Sequence, residues 1–170
     1  MKKQPKIIII CVESSKQAGI DDKYISTIIK YYYGNNLPIR FVNMEGKGNY
    51  DKKAVKQAID AYAIGFKQAI VIYVIDLDNV ELNMTQANLN NSIQVYCIQK
   101  GYQLIWFYPN IEFVLLNKDI DKSQKRQMVT QFVNNGGIEL IDSSYLEASS
   151  PKRGYSNILN VLDDHLTRKR

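Results

Sequence analysis

The chain has 170 residues, of which 45% are hydrophobic, and this is enough to bury the core of one compact domain without metal or disulfide support. Its formal net charge of +5 is compatible with a polyanionic partner but is equally typical of a solvated surface. Cys11 and Cys97 lack the spacing of a metal knuckle or a disulfide framework, and no run approaches the ~18 apolar residues of a membrane span, so we expect a cytoplasmic protein with no membrane partner.

Strand-like and helical segments alternate in the first half of the chain. The apolar run over residues 6–12 is β-branched and does not alternate with polar residues, which is typical of a strand buried on both faces. Asp21 or Asp22 can cap the helix that follows, and Gly34 ends it. The sequence predicts strands over residues 6–12, 39–43 and 69–75, and helices over about residues 21–33 and 51–66.

The second half continues this alternation and then becomes less regular. Pro109 breaks a strand, and Asn110 can cap a short helix that holds Glu112 in its first turn. Residues 138–141 are apolar enough for a short edge strand. The sequence predicts helices over residues 85–100, 111–116, 122–134 and 155–166, and strands over residues 103–108 and 138–141.

The alternation predicts an α/β domain with a mostly parallel sheet and helices on both faces. Ligands of such sheets collect at the carboxyl ends of the strands. Acidic residues follow several of the predicted strands, and the topology would bring them to one rim although they are far apart in sequence. These residues are Glu13, Asp76, Asp78 and Glu112.

Several carboxylates on one rim repel each other unless a cation lies between them, and oxygen ligands favour hard ions. We therefore predict a site for Mg2+ or Mn2+, which suits phosphodiester chemistry because Mg2+ leaves positions for water and substrate phosphates. If the chain stays extended, Asp76 and Asp78 share one side and Leu77 packs on the other. Alone, this Asp-x-Asp is also typical of a solvated turn, so the prediction depends on the combination of acids.

The order of these short motifs resembles the Toprim family, which is found in topoisomerases, primases and various nucleases. Glu13 follows an N-terminal hydrophobic strand, and the Asp-Leu-Asp at residues 76–78 follows a later one. The layout is most similar to the RloB-like branch, in which a Gly-Lys-Gly loop, here residues 46–48, and a Pro-x-x-Glu segment, here residues 109–112, occur in the same order. The resemblance spans roughly residues 6–116.

The resemblance implies a three-layer Toprim-like fold in a single domain, residues 1–170, with its core at about residues 6–116 and a C-terminal extension at about residues 117–170. It also implies a Mg2+-dependent nuclease that hydrolyses phosphodiester bonds of RNA or DNA, within a prokaryotic defence or mobile-element system. Nucleic acid is then the expected substrate, and an ATPase subunit is an expected partner.

The resemblance also assigns roles to the acids. Asp76 and Asp78 would bind the metal, and Glu13 would bind metal or act as the general acid or base, so these residues form the catalytic set. Glu112 would be an additional metal ligand or a positioning group.

Two positions depart from the family pattern. Ser14 stands where a glycine usually follows the glutamate, and Phe113-Val114 stands where an aromatic residue and a tryptophan are usual. Ser14 in place of glycine favours an alternative, a catalytically inactive Toprim-like module that binds nucleic acid or a partner ATPase subunit. A small-nucleotide-binding or phosphatase-like α/β domain is a third possibility.

Basic residues provide candidate phosphate ligands. Lys47 lies between two glycines, which let backbone amides approach an anion, although a plain tight turn also explains the motif. Lys152 and Arg153 follow a proline in a loop and would neutralise substrate charge. Lys2 and Lys3 add charge at the other end of the chain, where solvation explains them equally well.

Overall fold

The computed structural model describes residues 6–170, so Lys2 and Lys3 lie outside the described residues. The fold is α/β, as predicted, with a five-stranded sheet in the order β2-β1-β3-β4-β5. The strands β1 to β4 are mutually parallel, and β5 runs antiparallel to β4. The strands are β1 (Lys6–Val12), β2 (Ile39–Asn43), β3 (Gln68–Asp76), β4 (Gln103–Tyr108) and β5 (Tyr155–Ser156).

Helices cover both faces of the sheet. Asn110 caps α4 as predicted, because its side-chain oxygen accepts a hydrogen bond from the Phe113 N–H at 2.8 Å. Short 3₁₀ turns occur at Lys47–Asn49, Gly137–Leu140 and Ser143–Leu146. The α-helices are α1 (Ile20–Tyr33), α2 (Lys53–Ala63), α3 (Met84–Lys100), α4 (Ile111–Leu116), α5 (Lys125–Asn134) and α6 (Ile158–Asp163).

Two hydrophobic cores lie on the two faces of the sheet, which explains why β1 is apolar over residues 7–12. Ile8 and Ile10 pack against α1, α5 and α6 on one face. Ile7, Ile9 and Cys11 pack against α2 and α3 on the other. A parallel strand between two helical layers has no solvent face, so it needs no polar alternation. Within residues 6–170, no helix combines the length and the apolar character that crossing a membrane requires.

The predicted edge strand over residues 138–141 is wrong. Gly137–Leu140 forms a 3₁₀ turn in which Ile138 is buried, whereas Leu140 is exposed. The edge beside β4 is occupied by β5 instead, with Phe107 opposite Ser156. The helix predicted over residues 155–166 is therefore shorter than expected, since its first residues form this strand and α6 begins at Ile158.

Candidate metal centre

Glu13 and Asp76 meet at the carboxyl edge of the sheet. They follow or end the adjacent parallel strands β1 and β3, so the topology places them side by side as predicted. The backbone N–H of Asp76 donates to Glu13 Oε1 at 2.6 Å. Asp76 Oδ1 in turn accepts from the Ile111 N–H at 2.9 Å, which ties the start of α4 to the end of β3. Glu13, Asp76 and α4 thus form one hydrogen-bonded unit.

Glu112 completes this group from the first turn of α4. Its side chain is only 1% exposed, and within residues 6–170 neither of its carboxylate oxygens has a properly directed hydrogen-bond partner. Lys125 Nζ lies 3.1 Å from Glu112 Oε1, which makes the contact an ion pair. Buried carboxylates are normally hydrogen-bonded, so a carboxylate that has only this ion pair would be stabilised by a further electropositive partner.

These side chains line an open cleft of about 1080 Å³ between α1, α4 and α5. Asp21, in the first turn of α1, also lines it, and its Oδ2 accepts from the Ser14 N–H at 2.8 Å. Sequence reasoning treated Asp21 only as a helix cap. Its position in the sequence could have predicted its place in the cleft, because an acid in the first turn of the helix that follows β1 must lie at the same edge of the sheet as Glu13.

Three acids of the cleft, Glu13, Asp21 and Asp76, have raised pKa values. Burial raises the pKa of Glu13 to about 7, although the Asp76 N–H and Lys47 oppose the shift. Burial likewise raises the pKa of Asp21 to about 6. For Asp76, burial and the negative charges of Glu13, Asp21 and Glu112 raise the pKa well above its usual value. The cluster is therefore short of positive charge when all of its members are ionised.

Asp78 does not share the side of Asp76, and this geometric prediction is wrong. The strand ends at Asp76, and Asp78 adopts a left-handed backbone conformation with φ 60°. Its N–H donates to the Pro109 carbonyl at 2.7 Å, and its carboxylate pairs with Lys47 Nζ outside the cleft lining. Leu77 packs into the core beside α2 and α3, as predicted.

Lys47 is buried rather than available to a phosphate. Its side chain is 6% exposed, and Nζ donates to the Asp76 carbonyl at 2.6 Å as well as to Asp78. These two contacts of Lys47 stabilise the turn after β3.

Lys152 and Arg153 lie apart from the acidic cleft and do not line it. Arg153 Nη1 donates to Asn79 Oδ1 at 3.1 Å, and its guanidinium lies 4.6 Å from the centre of the Phe113 ring. Lys152 Nζ lies 4.5 Å from the centre of the Tyr155 ring. The cations that do line the cleft belong to α5 and the loop before it, and they are Lys122, Lys125 and Arg126. No local pattern distinguishes them from the other basic residues of the chain, so sequence reasoning missed them.

The donor set fits a hard divalent cation, although no ready-made coordination sphere is present. Among residues 6–170, no three acidic, histidine or cysteine side chains already converge as metal ligands. The available donors are carboxylate oxygens, which Mg2+ and Mn2+ prefer. Glu13, Asp76 and Glu112 would hold such an ion, since they line one cleft and the Glu112 oxygens accept no hydrogen bond.

Comparison of the chain with models of known protein families, with curated proteins and with solved structures gives no match.

Proposed function

We propose that this chain is a Mg2+-dependent phosphodiesterase of Toprim type, of the RloB-like branch, that cuts RNA or DNA. The observation that carries the proposal is Glu112, a buried carboxylate whose oxygens accept no hydrogen bond and whose charge is met only by the Lys125 ion pair, in a cleft that it shares with Glu13 and Asp76. A cation in the cleft would offset both the burial and the mutual repulsion that raise the pKa of Asp76. The motif order of the sequence supplies the family and the substrate class.

A bound Mg2+ would supply a Lewis acid for a phosphate oxygen and would lower the pKa of a water ligand. Asp76 and Glu112 would hold the ion, because Glu112 is buried in the first turn of α4 and Asp76 is fixed by its hydrogen bond from the start of that helix. Glu13, with a pKa raised to about 7, would take up or release a proton near neutral pH. Lys125 would neutralise the negative charge of a phosphate that enters between α4 and α5.

Charge around the cleft also supports a polyanionic substrate. The acids lie deep in the cleft, whereas Lys122, Lys125 and Arg126 line it from the α5 side. Such an arrangement would attract the phosphate backbone to the rim while leaving the acids for the cation. In this proposal the basic residues of α5 and of the loop before it bind the phosphates, which is the role that the sequence suggested for Lys47, Lys152 and Arg153.

A second candidate is a Toprim-like module without catalysis that binds nucleic acid or a partner ATPase subunit. The specific observation in its favour is the ion pair between Asp78 and Lys47, because it occupies a carboxylate that the family would use for metal. Ser14 in place of glycine points the same way. In this alternative the basic side of the cleft would keep its affinity for nucleic acid while the acids perform no chemistry.

A cleavage assay separates the two candidates. Labelled single- and double-stranded RNA and DNA are incubated with the protein in Mg2+ or Mn2+, and in excess EDTA. The proposal predicts cleavage that EDTA abolishes and that Asp76→Asn lowers by roughly a hundredfold or more, which corresponds to about 2.7 kcal/mol of lost transition-state stabilisation. The matched control is Asp60→Asn on the exposed face of α2, which should cut at the wild-type rate.

Two outcomes contradict the proposal. Cleavage that persists in EDTA at the wild-type rate would exclude a metal mechanism. Binding of nucleic acid without cleavage in either metal, with every substrate, would favour the inactive module.

A further inference from the structure

A second cavity, of about 410 Å³, lies on the layer of the molecule that contains α3. Its lining comes from α3, from the end of β3 and the turn after it, from β4 and from the loop before β5. It shares no lining residue with the acidic cleft, whose helices α1 and α5 pack on the opposite face of the sheet. None of the described residues that line the cavity is charged, so the part of a ligand that enters it must be uncharged.

The lining combines an apolar surface with a small number of amide groups. The apolar part includes Leu104 and the indole of Trp106 from β4, together with the ring of Pro151. Three amide side chains lie along one side of α3 and provide the polar part. They are Asn90, Asn91 and Gln94. A cavity of this size, mostly apolar and with a few convergent polar groups, is typical of a site for a small molecule.

Asn90 provides an independent observation that points to a ligand. The residue is only 9% exposed, and its Nδ2 donates to the Leu77 carbonyl at 2.8 Å. This contact uses the nitrogen of the amide, so the other half of the group is the acceptor Oδ1. Among residues 6–170, no group donates a hydrogen bond to this buried oxygen. Buried acceptors normally have a donor, and a ligand with an N–H group would supply one here.

We propose that this cavity binds the base of a free adenine nucleotide. A nucleobase is flat, with apolar faces that suit Trp106 and Pro151 and a polar edge that suits the amides. Amide side chains match adenine because they accept from its amino group and donate to a ring nitrogen. Guanine is usually recognised by Arg or Lys and cytosine by Asp or Glu, and the described lining contains none of these. Asn90 Oδ1 accepts from the adenine amino group in this arrangement.

Lys152 provides a positive charge for the phosphate of the nucleotide. It is exposed and directly follows Pro151 of the lining. Its Nζ lies 4.5 Å from the centre of the Tyr155 ring, and within the described chain it forms no ion pair with an acid. An unpaired ammonium group next to an uncharged cavity is complementary to a ligand with an uncharged base and a charged phosphate.

A free nucleotide fits this position better than a base of a bound strand. The basic residues that would hold a nucleic-acid backbone line the acidic cleft on the other helical layer. A strand bound there follows a surface that does not include the cavity, since the two sites have no residue in common. The inference does not depend on the proposed nuclease activity, and the experiments below measure binding without cleavage.

The fluorescence of Trp106 tests the proposal directly, because Trp106 is the only tryptophan of the chain and lines the cavity. AMP is titrated into the full chain in EDTA, with excitation at the red edge of the tryptophan band, where adenine does not absorb. We expect a saturable change with a dissociation constant below about 1 mM. GMP, CMP, UMP and ribose 5-phosphate should bind about tenfold more weakly or worse, since they lack the match to the amides.

Filling the cavity should prevent binding. Ala87 lies on the same side of α3 as the amides, and Ala87→Phe places a ring in the cavity without removing a hydrogen bond. Equilibrium dialysis should show at least a tenfold loss of AMP affinity, on the order of one hydrogen-bonded and stacked base. The control is Ala61→Phe on the exposed face of α2, which should bind AMP as wild type does. Circular dichroism confirms that both variants are folded.

Two milder variants keep the test informative if Ala87→Phe does not fold. Gln94→Leu removes an exposed amide of the lining and should weaken AMP binding about threefold to tenfold, whereas Gln57→Leu on α2 should not. Lys152→Met should weaken the binding of AMP but leave the binding of adenosine unchanged, because adenosine has no phosphate.

Three results would overturn the proposal. The first is the absence of a saturable fluorescence change with AMP up to about 10 mM. The second is equal affinity for AMP and for the other nucleotides, or equal affinity of Gln94→Leu and Gln57→Leu. The third is a fluorescence change with an oligo(dA) strand but none with AMP, which would assign the cavity to a nucleic-acid strand instead.

Discussion

Lys47 is a buried cation at the edge of the sheet, which is unusual for a lysine unless it is paired. It binds the Asp76 carbonyl and the Asp78 carboxylate, so it fixes the turn that leads away from the candidate metal centre. Since Asp78 is partly exposed, most of the stabilisation comes from the hydrogen bond to the buried carbonyl and less from the ion pair.

Replacement of Lys47 by Met should therefore destabilise the fold. The Asp76 carbonyl would lose its partner, and we expect the free energy of unfolding to fall by about 1–3 kcal/mol. Urea denaturation measures this change, with Lys67→Met as the control because Lys67 is exposed. Equal stability of the two variants would mean that Lys47 contributes nothing specific to the turn.

Individual site residues could be predicted only in part. Glu13, Asp76 and Glu112 were found because each follows a strand end or a cap that the sequence itself marks. The orientation of the Asp78 side chain could not be predicted from the sequence, because it depends on the left-handed conformation of this residue and on an ion pair with Lys47 from a distant loop. Lys125 pairs with Glu112 only through the packing of α5 on α1, which no local pattern encodes.

At the scale of secondary structure, α4 is short and yet places two groups of the site. The Ile111 N–H binds Asp76, and Glu112 extends into the cleft. A helix of this length has little stability of its own, so its cap and its packing hold it in place.

Asn110→Ala should loosen α4 because it removes the acceptor for the Phe113 N–H. The expected loss is about 1 kcal/mol of unfolding free energy, the usual effect of deleting an N-cap. Asn35→Ala, an exposed loop change, is the control and should have almost no effect. Thermal denaturation of both variants measures the difference. A cap variant as stable as wild type would show that packing alone holds α4.

The long elements could be predicted because their patterns are strong. The strands β1, β3 and β4 are apolar runs buried in a parallel sheet. The helix α3 ends just before Gly101, which adopts a left-handed conformation with φ 67° that favours glycine. The strand β5 has only two residues, which is too short to show any periodicity. An edge strand was predicted over residues 138–141 because the segment is apolar. Ile138 is buried in the core, but it belongs to a 3₁₀ turn and not to the sheet.

At the scale of the whole molecule, the acidic cleft links stability to pH. The folded state raises the pKa of Glu13 to about 7 and that of Asp21 to about 6, so it keeps protons that the unfolded chain releases near pH 4. Between about pH 4 and about pH 7 the folded state therefore binds more protons than the unfolded state, and the stability that these two residues contribute is greatest at the low end of this range. It is lost as the pH rises from about 4 to about 7.

In EDTA, the free energy of unfolding attributable to Glu13 should therefore fall by roughly 2 kcal/mol over that range. Glu13→Gln keeps an oxygen to accept the Asp76 N–H but cannot ionise, so its stability should depend less on pH than that of wild type. Urea denaturation of both chains at pH 4.5, 6 and 7.5 gives the comparison. Parallel curves for the two chains would mean that Glu13 has an ordinary pKa.

The two helical layers of the molecule differ in charge. The layer with α1, α4 and α5 carries the acidic cleft with Lys122, Lys125 and Arg126 in its lining, whereas residues 82–99, which include most of α3 on the other layer, contain no charged side chain. The sequence predicted the α/β class and the edge at which the acids meet.

The central claim is that Glu13, Asp76 and Glu112 hold one divalent cation. Anomalous diffraction from crystals soaked in Mn2+ tests it most directly, since the ion scatters anomalously and the same crystals soaked in EDTA provide the control. We predict a peak within coordination distance, about 2.0–2.3 Å, of oxygens from Asp76 and Glu112. No peak in the cleft, or a peak only at Asp78 after it has left Lys47, would contradict the assignment.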